Sequence, residues 1–396
     1  MDHLSSADPS ASDTIPWASI MAAIAAISAV GIAIGLGLPL LSVILEKRGV
    51  SSSLIGLNSA MAGLASMAVA PVTTQMAARF GVANTMLMAI LVAAVSAIGF
   101  YFAHAFWMWF PLRLFFHGAI TILFILSEFW INAAAPSARR GLVLGVYATV
   151  LSLGFATGPA LFALIGSNGI LPFAVAAAVI LLAALPIFIA RNDNPVLEPG
   201  PQGPFVRFIW LVPTATAAVF VFGAVESGVL ALFPIYAGRS GFSESQGALL
   251  LMMIGLGNVL FQIPIGLLAD RVRDRRILLV TFATIGLCGA MLLPFVVQNW
   301  LMIAIILLFW GGCVAGLYTV GLTHLGSRLN GRDLASANAA FVFCYSIGML
   351  TGPQTIGASM DLFGNNGFAW SLALYFGLYL ALALSRLARS PRSVLR

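Results

Sequence analysis

The stretch Ser152–Pro159 reads SLGFATGP, and 194 positions further on Ser346–Pro353 reads SIGMLTGP. Ser, Gly, Thr, Gly and Pro recur in register. Two more pairs fall on almost the same slide: GVSSSLIGLNSAM (49–61) on GFSESQGALLLMM (241–253), and AARFG (77–81) on ADRVR (269–273). The chain is one unit written twice, so whatever one half forms the other should form again.

Outside these repeats the chain is apolar almost throughout. Of 396 residues, 61% are hydrophobic and 8% charged, and the mean hydropathy is +1.02. A soluble domain carries about a quarter charged residues, so most of this surface does not face water. Apolar windows long enough to cross a bilayer, about 20 residues each, fall at 16–45, 53–78, 82–103, 106–135, 140–166 and 170–190. A second set follows at 208–237, 244–270, 275–297, 300–327, 333–360 and 367–387. The expected fold class is an all-α membrane protein, with twelve transmembrane helices in two pseudo-symmetric six-helix halves. The Pro- and Gly-rich RNDNPVLEPGPQGP separates the sets. The expected units are a tail 1–15, a first half 16–190, a linker 191–206, a second half 207–388 and a basic tail 389–396.

Of nineteen Lys and Arg, only Lys47, Arg48 and Arg239 fall in odd-numbered loops, and Arg113 lies inside a span. The other fifteen occupy the even loops, the linker and the C-terminal tail. Positive charge is retained on the cytoplasmic side, which predicts both termini and the linker inside, in a bacterial inner membrane. That clustering accounts for the net charge of +6 without nucleic acid as a partner. The N-terminal MDHLSSADPSASDTIP is polar and acidic, unlike a secretory signal. Cys288, Cys313 and Cys344 all lie in apolar segments and read as packing residues. Internal duplication about a cytoplasmic linker is a pattern of secondary transporters.

GLLADRVRDRR (266–276) resembles the loop motif of the major facilitator superfamily, carried here by Gly266, Asp270, Arg271, Arg275 and Arg276. The matching N-terminal loop, TTQMAARFG (73–81), keeps Arg79 and Gly81 but has Ala78 in place of the acid. SEFWINAAAPSARRGLVLGVY (127–147) and GLYTVGLTHLGSRLNGRDLASANAAF (316–341) are similar to the YcaD-like group of that superfamily. The resemblance covers essentially the whole chain. It implies two rocking halves, with spans one, four, seven and ten lining a central cavity. GFATGPA (154–160) partly resembles a fifth-span motif of efflux antiporters, through Gly154, Gly158 and Pro159; Gly348, Gly352 and Pro353 repeat them. Small residues at four-residue spacing also let helices approach closely, so packing alone is the competing reading.

Three charged residues lie well inside spans: Arg113, Glu128 and Glu226. On insertion scales each costs about 2.5–3.5 kcal/mol, so each should face a cavity or a partner. Arg113, His117, Thr121, Phe124 and Glu128 follow steps of 4, 4, 3 and 4, the spacing of one helical face. Fifteen residues hold Arg113 and Glu128 roughly 22 Å apart, too far to pair. Arg113 and Glu226 lie at similar depths, which suggests an ion pair across the halves. Glu128 is the first candidate for proton coupling and Glu226 the second, because taking up a proton removes the charge and its cost. The competing reading of Glu128 is a structural carboxylate held by Asn132, Ser127 or a backbone partner. Arg113 with His117 would suit an anionic solute, and Glu226 a cationic one. Thr121, Tyr318, Thr323 and His324 complete the candidate cavity residues, although His324 also reads as a helix-end residue.

Enzyme signatures are missing. There is no G-x-x-x-x-G-K-[ST] phosphate loop, Lys47 is the only lysine, and no His/Cys/Asp cluster has metal-ligand spacing. The expectation is not an enzyme, with no cofactor and no metal. It is a proton-coupled secondary transporter of a small organic solute, monomeric in the lipid bilayer. Export by antiport is favoured over uptake of an organic anion, and a transporter-like sensor or scaffold is the remaining alternative.

Overall fold

The structure, a computed structural model, describes residues 16–136, 139–193, 195, 206–296, 298–326 and 331–388. The expected tails 1–15 and 389–396, and most of the linker 191–206, lie outside the described residues. The first half comprises α1 (Trp17–Lys47), α2 (Ser52–Phe80), α3 (Val82–Phe102), α4 (Trp109–Ala134) and α5 (Arg140–Ile165). Its sixth pass is broken into α6 (Leu171–Leu182) and α7 (Ala184–Ile189). A short α8 (Val206–Leu211) leads into α9 (Pro213–Arg239), α10 (Glu244–Arg271), α11 (Arg275–Val296), α12 (Trp300–Gly326), α13 (Gly331–Phe363) and α14 (Gly367–Ala388). Hydrocarbon offers no partner to a peptide group, so a spanning segment must satisfy its own, which a helix does.

Among the described residues eleven segments are long and apolar enough to cross a membrane. The remaining expected span is α13, whose 33 residues are ample in length. It is less apolar because it packs between α9 and α2 and carries Tyr345, Thr351, Gln354 and Thr355. A helix wrapped by protein does not need the apolar surface of one facing lipid.

The repeat builds the same turn twice. Gly49 and Gly241 both adopt the left-handed backbone, at φ 75° and 96°, which a side chain would resist. Ser51 then caps α2 by accepting from the Leu54 amide, and Ser243 caps α10 by accepting from the Gln246 amide. These turns lie on what we term the distal face; the first and last helices begin and end on the opposite, terminal face. The helices whose apolar stretches are most enclosed are α9 (89% buried), α1 (67%), α4 (61%) and α12 (56%). They are passes seven, one, four and ten, so the middle of the bundle is theirs.

The repeated glycines bring paired backbones together. On α5, Gly154 faces Gly31 of α1, where an added Cβ would lie 2.7 Å from the Gly31 Cα; Gly158 abuts Gly35 and Leu36. On α13, Gly348 and Gly352 abut Phe220 and Ala224 of α9 in the same manner. Close backbone packing supplies the contact that lipid-like side chains cannot give preferentially between helices. Gly158→Val or Gly352→Val is therefore expected to cost roughly 1–3 kcal/mol by overpacking. Gly377, with open space around it, is the control: Gly377→Ala should hold or raise stability through helix propensity. Thermal unfolding in detergent, followed by size-exclusion fluorescence, separates the two outcomes.

Candidate functional site

The α4 stripe runs from a closed end to an open one. Arg113 is 0% and His117 3% exposed, Thr121 and Phe124 are half-buried, and Glu128 is exposed toward the terminal face. Arg113 Nε donates to the Asn58 Oδ1 of α2 at 3.1 Å, while Nη1 and Nη2 have no partner among the described residues. His117 Nδ1 lies 3.3 Å from the Arg113 carbonyl, and its Nε2 is unpartnered. Thr121 Oγ1 donates to the His117 carbonyl at 2.8 Å and sits 2.9 Å from Ser66 Oγ. The two side chains expected to hold Glu128 do something else. Asn132 Nδ2 donates to the Glu128 backbone carbonyl at 2.8 Å, and Ser127 Oγ meets the Tyr147 hydroxyl at 2.9 Å.

Across the bundle, Glu226 of α9 accepts from the Tyr345 hydroxyl of α13 at 2.5 Å. Phe222, Tyr318 and Tyr345 pack around it with ring centroids 5.7–6.2 Å apart. A small cavity opens beside Glu226, lined by Asn258, Trp310 and, from the other half, Phe155. Arg113 and Glu226 do not meet in this structure: Arg113 donates to Asn58 of α2, and Glu226 accepts from Tyr345 of α13. Thr323 is turned back onto the Thr319 carbonyl at 2.8 Å. His324 is buried in the last turn of α12.

In that loop the acid that pairs is Asp274. Arg276 donates to it through Nε at 2.9 Å and Nη2 at 2.7 Å, which holds the Asp274 carboxyl below the usual carboxylate range. Asp270 and Arg271 are exposed, Arg275 Nε caps α10 at the Ala269 carbonyl, and Gly266 has open space around it. The resemblance to the superfamily loop motif points to Asp270. Only the direction of the side chains distinguishes it from Asp274.

The distal face holds contacts that composition did not reveal. Lys47 of α1 pairs with Glu244 of α10 at 2.6 Å, and Arg239 of α9 pairs with Glu46 of α1 at 2.9 Å. Asp361 of α13 accepts from the Ser52 and Ser53 amides at 3.0 and 2.8 Å and from Ser53 Oγ at 2.5 Å, at the N-terminus of α2. All three join the first half to the second. Below them Gly56 and Gly63 let α2 touch the α13 backbone at Pro353 and Leu350. Ser152 Oγ donates to Gln262 Oε1 at 3.0 Å and ties α5 to α10. The distal side is sealed, and the α4 stripe opens the other way.

Two overlapping stretches, 17–353 and 215–394, match the family model described as Major Facilitator Superfamily. The chain belongs to the major facilitator superfamily. Its relatives in that superfamily include the uncharacterized MFS-type transporter YfkF of Bacillus subtilis, 28% identical over 371 residues, with 91% of this chain and 93% of the relative covered. An uncharacterized MFS-type transporter of Enterobacter sp. (strain 638) is 26% identical over 332 residues, covering 81% and 84%. Among solved structures, a mutant form of the nucleoside transporter NupG superposes with a TM-score of 0.77 at 13% identity, covering 93% of this chain and 99% of that one. A D-xylose-proton symporter gives 0.75 at 14% identity, covering 93% and 97%. At such identities these structures speak for the superfamily fold alone.

The distal contacts make a testable seal. Half-exposed ion pairs are worth about 0–1 kcal/mol each. Arg239→Glu, which sets two carboxylates together, should raise maleimide labelling of a Ser59→Cys reporter from the distal side about fivefold in a cysteine-free background. The Glu46→Arg/Arg239→Glu swap should return it toward the parent rate. Labelling that ignores both changes would show that these pairs seal nothing.

Proposed function

We propose that this superfamily transporter moves a small organic solute across a bacterial inner membrane, with the terminal face cytoplasmic and proton movement as the driving force. The excess of Lys and Arg near the terminal ends supports that sidedness. The segments 127–147 and 316–341 place it, in our reading, with the YcaD-like group.

One observation carries the mechanism: a polar stripe on central α4 that begins buried beneath the distal seal and ends at an exposed acid. Alternating access needs a site reachable from one side while the other is shut, and this arrangement supplies both. Glu128 is our coupling residue. Its carboxylate has no hydrogen-bond partner among the described residues and faces the open end, where protons arrive from water. Glu226 is the second, held by Tyr345 within the other half. When the distal contacts part and the terminal ends close, the two carboxylates would exchange their access. Export by antiport remains our preferred direction. Uptake of an organic anion is the second reading, favoured by the buried Arg113.

Reconstitution into proteoliposomes with an imposed pH gradient and a broad solute panel tests this reading. Glu128→Gln should lower gradient-driven flux at least about tenfold while sparing solute–solute exchange, since a proton-carrying group acts in the driven step alone. Gradient-driven flux retained in Glu128→Gln would end its coupling role. Absence of driven flux across the whole panel would favour the sensor or scaffold alternative.

A further inference from the structure

We propose that the buried end of the α4 stripe is an anion subsite, in which Arg113 and Asn58 grip a carboxylate or phosphate-type group of the transported solute. This rests on reading the α4 stripe as the solute's path, and names the solute's class.

The argument starts from groups left without partners. Arg113 is wholly buried, yet both terminal nitrogens of its guanidinium are unpaired. None of the ion pairs among the described residues includes it. A buried charge with neither counter-charge nor a full set of hydrogen bonds is strongly disfavoured. Asn58, also 0% exposed, uses its carbonyl on Arg113 Nε and leaves Nδ2 unsatisfied. Ser59 Oγ, buried on the next residue of α2, is unsatisfied too.

The geometry selects the ligand. Because Asn58 occupies Nε, the edge left over is the Nη1–Nη2 pair, two parallel donors that match two oxygens of one carboxylate or phosphate-type group. Asn58 Nδ2 adds a third donor. His117 gives its Nδ1 proton to the Arg113 carbonyl, so Nε2 accepts a hydroxyl in the neutral ring and donates in the protonated one. The protonated ring complements a carboxylate, and the neutral ring complements the hydroxyl of a monoprotonated phosphate-type group. The site lies about 9 Å beneath the N-terminus of α2 that Asp361 caps. An anion bound there sits directly under the distal seal, at the closed end of the stripe.

The test is binding, read by thermal unfolding of the purified full chain in detergent at constant ionic strength. Sodium benzoate and sodium phosphate are titrated into methanesulfonate buffer, with chloride as the inorganic comparison. Wild type should be stabilised saturably by benzoate or phosphate. Arg113→Gln should raise the half-saturating concentration at least about thirtyfold, the usual consequence of removing one partner of a buried charge pair. Asn58→Asp guards against misfolding of that variant. It places a carboxylate beside Arg113 without changing shape, so it should melt higher than wild type without any probe and lose the anion response.

No response to benzoate or phosphate, a response to chloride alone, or an Asn58→Asp protein that melts lower and still responds would overturn the subsite. Flux separates this proposal from the transport reading beneath it. Saturable binding without flux of any acid would leave the subsite and remove the transport reading. Flux of a solute lacking an acid group, undisturbed by Arg113→Gln, would do the reverse.

Discussion

A full charge inside a membrane bundle must find an opposite charge, a proton, water or a complete set of hydrogen bonds, and the interior of this molecule is arranged around that requirement. Glu226 meets it with the Tyr345 hydroxyl and a surround of aromatic rings. Glu128 meets it by opening to the terminal side. Arg113 meets it only in part, through one nitrogen on Asn58. Arg113 and Glu128 stand at the buried and exposed ends of the α4 stripe, and Glu226 lines a small cavity beside α9. Helices α1, α4, α9 and α12 are the most enclosed of the apolar passes.

The contacts between halves are of a kind that can be undone. Two ion pairs whose side chains are 25–47% exposed, and one carboxylate at a helix N-terminus, close the distal face. Beneath them α2 meets the α13 backbone through glycines, and Ser152 of α5 donates to Gln262 of α10. Inside each half the same device seats Gly154 and Gly158 of α5 against α1, and Gly348 and Gly352 of α13 against α9. Glycine thus serves joints within the halves and joints between them.

Much of this was legible beforehand because periodicity and charge are properties of the chain. The repeat at 152 and 346 implied two like halves, and spacing alone put Arg113, His117, Thr121 and Glu128 on one face of α4. Other features depended on what lies opposite. Asp270 and Asp274 are four residues apart in the same motif, and the reach of Arg276 picks the latter. Lys47 and Arg239 read as loop charges that set orientation, yet their neighbours Glu46 and Glu244 make them ties between halves. The inferred Arg113–Glu226 pair relied on matched depth. Depth fixes height along the membrane normal but not which helix stands across the gap, and Asn58 stands there.

The chain by itself determined that it spans a membrane, in how many passes, in two related halves and with which polar residues sharing one face of α4. Each of these follows from local sequence: apolar length, repeat register and the helical period. Only the tertiary structure decided which side is shut, which carboxylate is exposed, and that a buried guanidinium has two nitrogens to spare. Those are outcomes of pairing between helices far apart in the chain. A polar group's cost in hydrocarbon is set by its partner, and the partner is chosen by packing.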